Sequence, residues 1–251
     1  MTARIALHWM EFLIGWAVML QTVELLCVRE VFQADGVWQW EILQSELPHL
    51  GWIFRPTPFT LLLALRFLGA LLLPLSPDPI LPIFLALSSV VVCLRWRGTY
   101  NGGSDYMTLL ILFALSAARL GASHPHVVAI SLGYVAVQST LSYFIAGVVK
   151  LRNPSWRKGR ALAQLLNSPL YALPPRARGL SGQRLFCFLG AWAVLLFECG
   201  FPLVFVDRKF CFFFLALAGG FHLINVYTLG LNRFFWAWIA SFPAIIFLAS
   251  H

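Results

Sequence analysis

The feature that most constrains this chain is a succession of about eight apolar runs, most of them long enough for a helix to cross roughly 30 Å of hydrocarbon. Short polar connections separate most of them. A water-facing fold has no way to cover that much apolar surface, because only 11% of the residues are charged and 60% are hydrophobic. A soluble domain averages about 25% charged residues. The expected fold is therefore an all-α, polytopic membrane bundle, a single domain over residues 1–251 with no soluble domain. Its spans are placed near 5–28, 57–75, 79–95, 105–121, 126–151, 185–206, 210–230 and 234–249. Residues 29–56 mix acids with Trp38 and Trp40 and suit an interfacial segment, and 152–183 form a basic loop.

The formal charge of +8 sits mainly in short loops, which fits a positive-inside bias and argues against nucleic-acid binding. The partners expected are the lipid bilayer and a peptide, protein or subunit, in a bacterial inner membrane. The loops after spans one, three, five and seven share one side and hold most of the Lys and Arg, so both termini are expected outside the cytoplasm. The five cysteines form no CxxC pair and no Cys/His metal spacing, and no metal is predicted.

An ionisable side chain in hydrocarbon is costly unless it pairs, snorkels or meets water. The polar residues inside the apolar runs are therefore the informative ones. Tyr143, Ala146, Gly147 and Lys150 fall at i, i+3, i+4 and i+7, on one helix face where two small residues make room. Lys150, near its helix end, equally fits a lysine snorkelling to the interface. His222 and Asn225 share a face of the seventh run, as a polar pocket or as hydrogen-bonded packing. Glu198 precedes Pro202 by four residues, which bends that run; its carboxylate is expected to pair with Arg66 or a histidine. Asp105 reads as a helix cap or first-turn residue.

The stretch Tyr143-Phe144-Ile145-Ala146-Gly147-Val148-Val149-Lys150-Leu151, followed by Trp156 and Gly159, resembles the signature helix of the vitamin K-dependent gamma-carboxylase family. Phe221-His222-Leu223-Ile224-Asn225, then Gly230, resembles that family's later Phe-His-x-x-Asn helix. Asn101 to Tyr106 occupies the place of its polar segment. The wider group is the HTTM (horizontally transferred transmembrane) domain. The resemblance implies that Lys150 is the base that deprotonates a vitamin K-like hydroquinone, with His222 and Asn225 lining the cavity. Lys150 and His222 are then the catalytic candidates. Tyr143, Asn225, Glu198, Asp105, Asn101 and Trp156 are candidates for binding substrate or cofactor. The chain departs from the family pattern at Val149, where the carboxylase has a second lysine. It also offers Gly102 or Gly103 where a histidine is expected, and has no large lumenal domain. The family's reactive side faces the lumen, opposite to the side the Lys/Arg count gives the loop after Lys150.

Three functions stay open on this reading. One is a membrane enzyme using a lipophilic quinol-type cofactor, with an intramembrane lysine base. The second is a non-catalytic partner in maturation or export of a peptide or secreted protein, or a subunit of a larger membrane complex. A transporter ranks third, since no repeated half is visible.

Overall fold

The computed structural model describes all residues except 34, 45–47, 97–101, 172 and 251. Among them the chain is all-α, with no strand. Nine helices carry the framework: α1 (Ala3–Cys27), α2 (Pro56–Leu72), α3 (Ile80–Arg95), α4 (Gly102–Leu120), α5 (Pro125–Arg152), α6 (Arg184–Gly200), α7 (Arg208–Leu229), α8 (Asn232–Ile239) and α9 (Phe242–Leu248). By length and composition, five helices of the described residues can cross a membrane: α1, α4, α5, α6 with its 3₁₀ extension, and α7. A sixth arises if α2 and the bent segment Pro48–Phe54 before it, turned by 66°, count as one span. Residues Ile80–Arg95 and Asn232–Leu248 are apolar but shorter.

The helix ends follow from local chemistry. Pro56 occupies the first helical position of α2, where its missing N–H costs nothing. A turn containing Pro74, Pro77 and Pro79 separates α2 from α3, and Asp78 Oδ1 accepts the Ile80 N–H at 2.8 Å. Asp207 caps α7 by accepting the N–H groups of Lys209 and Phe210. Gly230, at φ +70°, ends α7 in the left-handed region that glycine tolerates. Pro202 converts the end of α6 into a 3₁₀ turn, Phe201–Phe205. The last apolar run, expected as one helix, breaks at Ala240 and Ser241 before Pro243.

The described residues form two compact units. The first comprises Ala3–Ser131. Its α1, α2, α3 and α4 pack on one another, and α1, α2, α3 and the segment after α1 share a cluster of Leu25, Phe32, Trp40, Phe54, Phe59, Leu63 and Val92. The segment expected at the interface supplies part of that cluster, folding as short helical turns at Arg29–Phe32, Trp40–Leu43, Pro48–Leu50 and Gly51–Phe54. Arg95 is fully buried there; its Nη2 donates to the Trp38 carbonyl and its guanidinium lies 5.0 Å from the Phe32 ring centre.

The second unit comprises Leu132–His251 with Met1 and Thr2. It contains most of α5, all of α6 to α9, and the connection between α5 and α6. That connection folds as Pro154–Arg157, Arg160–Leu166, Pro175–Gly179 and Leu180–Gly182, packed in part against α6. Large apolar side chains point outward from its helices: Ile145 is 57% exposed, Leu196 66% and Ile224 62%. A water-soluble domain rarely leaves such side chains uncovered in continuous rows.

Candidate functional site

One face of α5 organises the polar groups of the second unit. Tyr143 and Lys150, seven residues apart, stand on it two turns from each other, about 10 Å along the axis. Gly147 lies between them and lets the helix meet α6 closely. A Cβ there would fall 2.7 Å from the Cys199 backbone nitrogen and 2.9 Å from the Glu198 carbonyl carbon. The absence of that one atom brings Glu198 to the lysine.

The Lys150 Nζ donates to both carboxylate oxygens of Glu198, at 2.7 Å to Oε1 and 2.6 Å to Oε2. The lysine side chain is 23% exposed and the glutamate 4%. Nζ also lies 5.5 Å from the centre of the Trp156 ring, a cation–π distance. Trp156 reaches it because the chain turns back after α5 through an Asn153 cap, whose Oδ1 accepts the Ser155 N–H at 2.9 Å. Glu198 therefore takes Lys150 as its partner, not Arg66 or a histidine. The lysine lies in an ion pair instead of snorkelling free.

Two turns back along α5, the Tyr143 hydroxyl lies 2.5 Å from His222 Nε2. Both residues are buried, at 3% and 1% exposure. Aromatic rings surround them. Phe201 lies 4.1 Å from Tyr143 between ring centres, and Trp238 lies 4.6 Å from it. Trp238 also stacks on His222 at 5.4 Å and 26°, with Phe234 at 4.9 Å from the imidazole. Among the described residues, neither His222 Nδ1 nor Trp238 Nε1 finds a hydrogen-bond partner, although both are buried. The direction of this hydrogen bond follows the imidazole tautomer: with the Tyr143 hydroxyl as donor to Nε2, the imidazole proton sits on Nδ1. His222 Nδ1 and the Trp238 N–H thus share this aromatic cluster without hydrogen-bond partners among the described residues. Buried polar groups in folded proteins nearly always have partners, so an orphan pair marks a place for water or a ligand.

The remaining candidates lie elsewhere. Asn225 is half-buried one turn beyond His222. Asn101 lies outside the described residues. Asp105 belongs to the first unit, in the first turn of α4 as expected, where its Oδ1 accepts from Gln21 Nε2 at 2.9 Å. Gln21 Oε1 in turn accepts from Arg66 Nη2 at 2.7 Å. Arg66, fully buried, also donates to Ser88 and Ser89 at 2.8 and 2.7 Å. This Arg66–Gln21–Asp105 chain ties α1, α2, α3 and α4, and nothing in the residue spacing announced it. Trp238 was also missed, since a tryptophan near the end of an apolar run reads as an interfacial anchor.

Among the described residues no group of three or more His, Cys, Asp or Glu side chains is placed to hold a metal ion. Compared with family models, curated proteins and solved structures, the chain matches none.

Proposed function

We propose that this is a multi-pass membrane protein of eight spans and HTTM type, in a bacterial inner membrane. On this reading its second unit is a membrane enzyme acting on a lipophilic, quinol-type ligand. The observation that carries the reading is the pair of orphaned donors, His222 Nδ1 and Trp238 Nε1, set in a wall of Tyr143, Phe201 and Phe234. A flat apolar ring bearing oxygen acceptors would satisfy that donor set and match the aromatic side chains around it. His222 and Trp238 hold such a group, Tyr143 fixes the imidazole tautomer, and Asn225 lies one turn along. The group, when bound, would supply a hydroxyl to be deprotonated and the redox capacity that these side chains lack.

The chain's own part is the handling of the proton. Transfer from Lys150 Nζ to Glu198 Oε2 across 2.6 Å leaves a neutral amine able to accept a proton, and the reverse transfer restores the pair. Tyr143, paired with His222, stands two turns away on the same α5 face, about 10 Å along the axis, so a ligand handing its proton to the Lys150–Glu198 pair has to reach from one to the other. The outward apolar side chains and the apolar helices support the membrane setting.

The test is binding first and chemistry second. The purified full chain is titrated with a short-chain naphthoquinone, and its tryptophan fluorescence is followed. Saturable quenching that is lost in His222→Phe and Trp238→Phe, with insertion intact, supports the reading. Lys150→Ala should keep ligand binding yet abolish turnover of the reduced quinone. Unchanged turnover in that variant would rule out the lysine as base.

A second reading, a non-catalytic partner in maturation or export of a peptide or protein, is favoured by one observation. Both oxygens of Glu198 already engage the amine, as in a structural ion pair. Stoichiometric co-purification of another chain, with no quinone bound, would favour it.

A further inference from the structure

The sequence has no acidic residue between Asp105 and Glu198, yet the last residue of α5 and the connection after it carry Arg152, Arg157, Lys158, Arg160, Arg176 and Arg178, all exposed. The two acids of the second unit are both occupied, Glu198 by Lys150 and Asp207 by the start of α7. No carboxylate of that unit neutralises the cluster. The backbone that carries the first four cations is also held in place. Trp192 Nε1 of α6 donates to the Arg157 carbonyl at 3.1 Å, and Gly159, at φ +73°, lies against the Cys187–Phe188 backbone of α6. A Cβ at Gly159 would stand 2.6 Å from Phe188 N. The turn is thus clamped to a helix with its basic side chains facing outward.

From this arrangement we infer that the turn 152–160 is a docking surface for the anionic phospholipid headgroups of the bilayer in which the chain sits. The inference rests on the membrane reading given above. It favours lipid over an acidic protein because of position: the connection leaves the end of α5 and returns at the start of α6, two helices apolar enough to be spans. Its cations therefore stand at headgroup depth beside exposed Leu185 and Phe186. Cations on a held backbone meet phosphate oxygens with little further ordering of the main chain. The surface is distinct from the orphaned donors at His222 and Trp238.

The experiment compares the full chain with Arg152→Gln/Arg157→Gln/Lys158→Gln/Arg160→Gln in nanodiscs containing phosphatidylcholine and phosphatidylglycerol. Retained lipids are counted by native mass spectrometry after release. Each cation near a charged leaflet contributes roughly a fivefold preference, so the fourfold variant should lose at least about tenfold in phosphatidylglycerol enrichment. A fourfold variant in which each Arg becomes Lys, and Lys158 becomes Arg, should retain it and controls for folding. Equal enrichment in the wild-type chain and the Gln variant, both inserted, overturns the docking surface. Extraction of the wild-type chain from native membranes by alkaline carbonate overturns the membrane reading and this inference with it. Displacement of the bound phosphatidylglycerol by a polyglutamate peptide at matched charge would assign the surface to an acidic protein instead and overturn the lipid assignment.

Discussion

Lys150 and Glu198 form a two-point ion pair, with the carboxylate buried and the amine about a quarter exposed. Removing one partner of a fully buried pair costs about 3–5 kcal/mol, because it strands the other charge. Partial exposure of the lysine reduces this to about 2 kcal/mol for Lys150→Met. The doubly apolar variant Lys150→Met/Glu198→Leu should recover most of that loss. Thermal unfolding in detergent measures both, and a double variant no better than the single one would argue against the pair.

Gly147 is the residue that allows that pair to form. Gly147→Ala places a methyl group against the backbone of Cys199, where no flexible side chain can yield. Overpacking of this kind costs about 1–3 kcal/mol, and here it also pushes α5 away from Glu198. Unfolding temperature should fall, and the thiol of Cys199 should react faster with maleimide as the contact opens.

How much of this arrangement the residues announced depends on the kind of contact. The spacing of Tyr143, Gly147 and Lys150 named the polar face of α5, because side chains seven apart on a helix share a face whatever surrounds them. Its partners were less legible. Glu198 had several cations within reach of a sequence argument, and only the close approach at Gly147 selects Lys150. Trp238 lies on a different helix from His222, and aromatic stacking leaves no periodic trace. The helix positions were readable from apolar runs and prolines, whereas the break at Ala240 and Ser241 was hidden within a continuous apolar stretch. Whether all eight apolar segments cross the bilayer depends on their lengths, which composition alone does not fix.

The Arg66–Gln21–Asp105 chain gives a prediction for the first unit. Gln21→Leu removes one acceptor from a fully buried guanidinium and one donor from Asp105. Bonds to charged groups contribute about 1.5–3 kcal/mol each, so a loss of at least about 2 kcal/mol is expected. Hydrogen exchange should quicken in α1 and α4 before it does in α7. Uniform protection across all three would contradict a role for Gln21 in joining those helices.

Gly159 offers a sharper case, since its backbone lies in the left-handed region and its α-carbon presses on α6. Gly159→Val combines strain of about 1–3 kcal/mol with a direct clash. Proteolysis within 153–183 should increase while α7 stays protected. Resistance equal to the wild type would mean that the turn tolerates a side chain there.

The lengths of the helices have a consequence for the surroundings of the chain. Helix α3, at 16 residues, measures about 24 Å, whereas α5, at 28 residues, measures about 42 Å. Hydrocarbon about 30 Å thick is too deep for the first and too shallow for the second. In a bilayer the short helix draws the leaflets together and the long one leans or protrudes. On the proposed eight-span reading, such a protein would deform the lipid around it unevenly, and its stability should respond to acyl-chain length.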